Sequence, residues 1–168
     1  MRVGTALLCL SLVACATTGE LPPRPTVELP APPSTVDARL LVGSWHCQDL
    51  NPYPDQPRQT VVATYAADGG FVTESRTEAH GPIGPIVATA RGSWEIRDGQ
   101  LRTSNVRTEA RAADGDRQTD ILAKATAELV DALSGTNPNV AEILALEPSR
   151  MITRPLGSDD PPVIACAR

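Results

Sequence analysis

The stretch Leu40-Leu41-Val42-Gly43-Ser44-Trp45-His46-Cys47 decides how the rest of the chain is read. With a side-chain period of two, Leu41, Gly43, Trp45 and Cys47 share one face, and Val42, Ser44, His46 and Gln48 share the other. The first face is the more apolar, so the stretch reads as a half-buried β-strand. Trp45 matters most on it, because the whole chain holds two Trp, two Tyr and one Phe. A core otherwise made of Val, Ile, Leu and Ala must lean on these few large side chains.

The same period recurs downstream. After a loop at residues 51–57 with Pro52, Pro54 and Pro57, residues 59–66 alternate Val61, Ala63 and Tyr65 against Thr60, Val62 and Thr64. Ala67-Asp68-Gly69-Gly70 is a tight hairpin turn, since Asp and Gly tolerate positive backbone angles. Residues 71–79 put Val72, Glu74, Arg76 and Glu78 on the wet side, leaving Phe71, Thr73, Ser75 and Thr77 inside. The run His80-Gly81-Pro82-Ile83-Gly84-Pro85 breaks the sheet, because each Pro removes a ladder donor. Ile86, Ala88, Ala90, Gly92 and Trp94 then line one face of the next strand, and Asp98-Gly99 turns into residues 101–112. Arg102, Arg107, Glu109 and Arg111 mark that segment as a solvated strand or a sheet edge.

At Asp114-Gly115-Asp116 the period changes. Ile121, Leu122, Ala125, Leu129, Ala132 and Leu133 recur at helical spacing, with Asp116 or Thr119 as N-cap and Gly135 as the stop. The expected helix lays this stripe over one flank or end of the sheet. Its polar face carries Glu128 and Asp131 against Lys124, the wrong sign for lying on an anionic membrane. Residues 141–146 and 151–154 read as short strands, although Glu, Ala and Leu in the first also suit a helix; residues 163–168 form a last strand.

Upstream, Arg2 is followed by an apolar run over residues 3–12, shorter than the roughly 20 residues a membrane span needs. The run ends in Leu12-Val13-Ala14-Cys15, which resembles the lipobox of bacterial lipoproteins. That resemblance implies a signal peptide over residues 1–14, acylation (a palmitate-type anchor) at Cys15, and attachment to a membrane through the lipid. Ala16 stands where an inner-membrane retention signal would place Asp, so the resemblance implies the outer membrane, facing the periplasm. Residues 15–36 hold Pro22, Pro23, Pro25, Pro30, Pro32 and Pro33 and read as an extended spacer, reaching up to roughly 60 Å. The domain proper is residues 37–168. Once Cys9 leaves with the signal and Cys15 takes lipid, Cys47 and Cys166 remain as a pair in an oxidising compartment, and a disulfide between them is expected. Removing Arg2 takes the formal net charge from -5 to -6, which argues against a nucleic-acid partner.

Gly43-Ser44-Trp45, Tyr65 entering Asp68-Gly69, the second Gly92-Ser93-Trp94 before Asp98-Gly99-Gln100-Leu101, and the closing Cys166-Ala167-Arg168 together resemble small bacterial lipoproteins with a lipocalin-like domain. The resemblance implies that Trp45 plugs the closed end of a barrel and that Gly43 makes room for it. The expected fold is mainly β with one amphipathic helix (α+β): an antiparallel meander or partial lipocalin-like barrel. The doubled Gly-Ser-Trp reads as two similar solutions to one packing problem.

Reactive constellations are scarce. His46 and His80 are the only histidines, too few for zinc, and no serine elbow or phosphate-cradling glycine loop occurs. The expectation is therefore a noncatalytic binding module with no metal and no cofactor. Trp45, Tyr65, Phe71, Thr73, Ser75, Thr77 and Trp94 would line a pocket for a small or lipidic ligand. The alternative is a periplasmic protein-binding factor (inhibitor, immunity or assembly accessory) that uses the loops at residues 51–57 and 80–85.

Overall fold

Eight strands and one helix account for the domain. The computed structural model describes residues 23–134 and 138–168, without the side chains of Leu133 and Ser134. After a short 3-10 helix at Ala38–Leu40 come β1 (Gly43–Asp49), β2 (Gln59–Tyr65), β3 (Gly70–Thr77), β4 (Ile86–Arg97) and β5 (Gln100–Ala112). The helix α1 (Arg117–Ser134) follows, then β6 (Asn139–Leu146), β7 (Arg150–Pro155) and β8 (Ile164–Ala167). All neighbours pair antiparallel in chain order, as the expected meander requires, and β8 returns to β1, so the meander closes into a full barrel. Residues 141–146 choose strand over helix because both edges find partners, β5 on one side and β7 on the other.

Closure survives the inserted helix because α1 lies outside the barrel. The ladder between β5 and β6 runs only from Gln100 to Thr103, which leaves the upper half of β5 as an edge. The helix covers that edge with its own carboxylates: Asp131 accepts from the Thr108 backbone N–H at 2.8 Å, and Asp120 from that of Ala112 at 3.3 Å. Helix side chains thus supply acceptors that a ninth strand would have offered, and the exposed ladder is sealed. Asp116 is the N-cap, accepting from the Thr119 N–H at 2.7 Å.

The face that α1 presents to β5 is not the expected stripe. Thr119, Ala123 and Ala127 are the buried positions, whereas Ile121, Leu122, Leu129 and Val130 are 42–61% exposed. Small side chains at spacing four bring the helix axis close enough for two short Asp side chains to reach the strand; leucines there would hold it away. Leu133 and the proposed stop at Gly135 fall outside the described side chains and residues.

The interior splits into a packed end and a hollow end. Where β1 begins, Leu41 and Trp45 are fully buried with Tyr65, Phe71, Leu101, Ile143 and Met151. The Tyr65 ring meets Trp94 edge-on at 5.9 Å and Phe71 at 6.2 Å, so the scarce aromatics concentrate there. Trp45 Nε1 donates to the Leu41 carbonyl at 2.8 Å. Arg168 stacks over the Trp45 ring at 4.0 Å and donates to the Leu40 and Val42 carbonyls at 2.6 and 2.8 Å. Gly43 is needed less for Trp45 than for its backbone: its φ of +124° is glycine territory, and the Arg168 guanidinium lies 3.5 Å from where a Cβ would sit.

The second Gly-Ser-Trp solves a different problem. Gly92 stands at the register shift between β4 and β5, where a Cβ would meet the Ser104 carbonyl at 2.6 Å and the Phe71 ring at 2.8 Å. Trp94 reaches outward to donate to the Ala66 carbonyl at 3.0 Å. The two copies therefore share residues without sharing a role.

Cys47 and Cys166 are bonded, opposite each other in the β1–β8 ladder at a sequence separation of 119. The bridge joins the first and last strands at the seam of the barrel.

Candidate functional site

A cavity of about 600 Å³ fills the end of the barrel where β1 finishes and β2 starts. Its wall is made by inward positions of five strands: Cys47 from β1; Val61, Ala63 and Tyr65 from β2; Thr73 from β3; Met151 and Thr153 from β7; Ile164 and Cys166 from β8. The disulfide itself forms part of that wall through Cys47 and Cys166. Pro52, Pro57, Arg58, Glu78, Pro162 and Arg24 stand around the same space toward its mouth. This volume falls in the range of about 300–1,000 Å³ typical of small-molecule sites.

Of the residues expected to line a pocket, the structure brings Tyr65 and Thr73 to this cavity. Trp45 and Phe71 are in the packed core instead, and Trp94 packs against it. Ser75 and Thr77 keep their inward alternation as half-buried residues but lie outside the cavity wall. Met151, Thr153, Ile164 and the disulfide were not expected there. Their signal was present in the alternation of residues 150–155 and 163–168, but which strands adjoin β1 in a closed barrel does not follow from periodicity.

The wall is apolar with isolated hydroxyls. Burial pushes the Tyr65 hydroxyl up to about 12, so it remains a proton donor at neutral pH. Thr153 is likewise buried. Such hydroxyls can orient one polar atom of an otherwise apolar guest. Charges are kept to the mouth, where Arg24, Arg58 and Glu78 contribute both signs.

The mouth is pinned by an unexpected element. The proline-rich segment is docked from Arg24 onward rather than free: Arg24 donates to Asp49 at 2.7 Å and to the Asn51 carbonyl at 2.9 Å, and stacks on Tyr53 at 4.1 Å. Farther along, Leu29 covers an outer apolar patch of Leu144, Ile152 and Val163. Polyproline-like backbone has no internal hydrogen bonds to lose, so it can serve as a strap wherever its rare apolar residues meet a patch. Residues 1–22, including the signal-like run and Cys15, lie outside the described residues.

The loop at residues 51–57 is held too: the buried Asn51 side chain accepts from the Val163 N–H at 2.7 Å, and Tyr53 donates to Asp160 at 2.8 Å. A second concavity of about 600 Å³ lies outside the barrel beside α1. Glu74, Glu109, Arg111, Lys124 and Glu128 line it, and it is open to water. Among the described residues no three His, Cys, Asp or Glu side chains cluster as metal ligands.

Compared with known proteins, the chain matches no family model and no curated sequence. The class is therefore carried by architecture: a closed eight-stranded antiparallel barrel with one helix and an internal cavity, consistent with a lipocalin-like fold.

Proposed function

We propose that the protein is a noncatalytic, membrane-tethered binding protein that holds one small, mainly apolar molecule in the barrel. The observation that carries this reading is the cavity itself, whose largely apolar wall includes the buried Tyr65. Acylation at Cys15 belongs to the same proposal, with the outer membrane as the address. Arg24 supports the two together. Nine residue steps lead from Cys15 to it and can span at most about 30 Å, half the reach of a free spacer through residue 36. Because Arg24 lies at the cavity mouth, a lipid at Cys15 would keep that mouth near the bilayer, where apolar guests are concentrated. The alternative of a protein-binding envelope factor relied on open loops, and residues 51–57 are instead tied into the rim.

The test is titration with a dansyl-labelled undecanoic acid. Saturable 1:1 binding is expected in the wild type, with at least a tenfold loss in Val61→Trp, which fills the wide end, and a smaller loss in Tyr65→Phe. Equal affinity in all three proteins would reject the barrel as the site. Mass spectrometry of the mature chain tests the anchor separately, because a diacylglyceryl mass on Cys15 is independent of the cavity.

A further inference from the structure

The outward face of α1 repeats large and small residues in a fixed rhythm. Leu122, Ala125, Leu129 and Ala132 follow one another at spacings of three, four and three and are all exposed, on the side of the helix away from Thr119, Ala123 and Ala127. That is a heptad seam with leucine at one core position and alanine at the other. Turned antiparallel about a two-fold axis level with Ala127, the seam meets itself with a leucine opposite an alanine in every layer: 122 with 132 and 125 with 129, each twice. A seam whose large residues all fall opposite small ones is self-complementary in shape, which an arbitrary greasy surface is not.

We propose that this face is a self-association surface on which a second copy of the chain docks, α1 against α1, antiparallel. The contact is isologous and closes at two, so it makes dimers and not fibres. One helix face buries less than the about 1,200 Å² of a stable complex, so the dimer is weak and reversible in dilute solution. Copies confined to one membrane would meet at a higher effective concentration.

Sedimentation of the chain from residue 16 onward, which keeps every described residue, tests this. The weight-average mass is expected to climb toward twice that of one chain between about 10 μM and 1 mM, and Leu129→Asp, an exposed change, should hold it at one chain. For the geometry, Leu122→Cys copies mixed with Ala132→Cys copies are expected to crosslink on oxidation. Leu122→Cys copies alone are not, because their sulfurs would sit about 15 Å apart along the pair. A mass that stays at one chain throughout overturns the proposal, as does association untouched by Leu129→Asp. Faster crosslinking of Leu122→Cys with itself overturns the antiparallel seam. Binding of a monomeric wild type to phosphatidylcholine vesicles, lost in Leu129→Asp, gives the face to lipid and overturns it as well.

Discussion

Removing the Cys47–Cys166 bridge, by Cys47→Ala with Cys166→Ala, should be the costliest double change that leaves the backbone conformation intact. The bridge spans 119 residues of sequence. For a loop of that length the loss of denatured-chain freedom is worth about 5 kcal/mol at 25 °C, an upper value from which any native-state strain is subtracted. Some core packing goes with it, because Cys47 and Cys166 are buried in the core cluster as well as in the cavity wall, while the ladder from His46↔Ala167 to Asp49↔Ile164 remains. A loss of about 3–5 kcal/mol is therefore expected, large against the total stability of a domain of this size. Equilibrium urea unfolding of the oxidised wild type and the double variant measures it, and hydrogen exchange should show β1 and β8 loosening ahead of β3 and β4. If the variant does not fold, wild-type unfolding with and without reductant gives the same comparison. A loss below about 1 kcal/mol with an unchanged urea slope would refute the reasoning, because the seam would then be held by its ladder alone.

Gly92→Ala places a methyl within 3 Å of both the Ser104 carbonyl and the Phe71 ring, and should destabilise by about 2 kcal/mol in urea melts. Phe71→Leu should restore only part of that loss, since the carbonyl contact remains. Asp131→Ala strands the Thr108 N–H on a half-covered edge, and faster exchange of the Thr108 amide is expected for a cost of about 1–2 kcal/mol. Arg168→Ala uncovers Trp45 and removes two hydrogen bonds at the packed end; in a Trp94→Phe background the Trp45 emission should shift red. Asp116, bonded to the Thr119 N–H, and Asp120, bonded to Lys124, are both held below the ordinary 3.8. Their support for α1 is therefore full above that value and lost as pH falls through the lower folded values. The helical signal in circular dichroism should be flat down to about pH 4.5 and fall below it; a decline starting near neutrality would contradict the assignment.

Much of the barrel is legible from alternation because strands such as β1 and β3 have one wet face. Phe71, Thr73, Ser75 and Thr77 point in, Glu74 and Arg76 point out, and the hairpin at Asp68-Gly69 fixes their register against β2. Cysteine arithmetic reaches the seam as well, since the expected signal and anchor take Cys9 and Cys15 and leave Cys47 and Cys166 to pair. The helix is where periodicity stops being enough. It finds the apolar stripe of α1 but assumes that the stripe is what packs, whereas the strand edge selects the face with the smallest side chains and two reachable carboxylates. Proline content fails for a related reason: it reports a backbone without internal bonds, and does not say whether Arg24 and Leu29 will find partners on the barrel.

The strap and the cavity bear on each other through Arg24. Its guanidinium joins Asp49 at the end of β1, the Asn51 carbonyl and the Tyr53 ring, so it ties the proline-rich segment to one side of the cavity rim. The other side of the rim is tied by Tyr53 to Asp160 and by Asn51 to Val163, which are contacts of the same loop. One loop therefore carries both the anchor of the strap and the latch to the β7–β8 connection. Any pull on the chain upstream of Arg24 acts first on that loop and only then on the barrel, whose seam is covalently closed beside it.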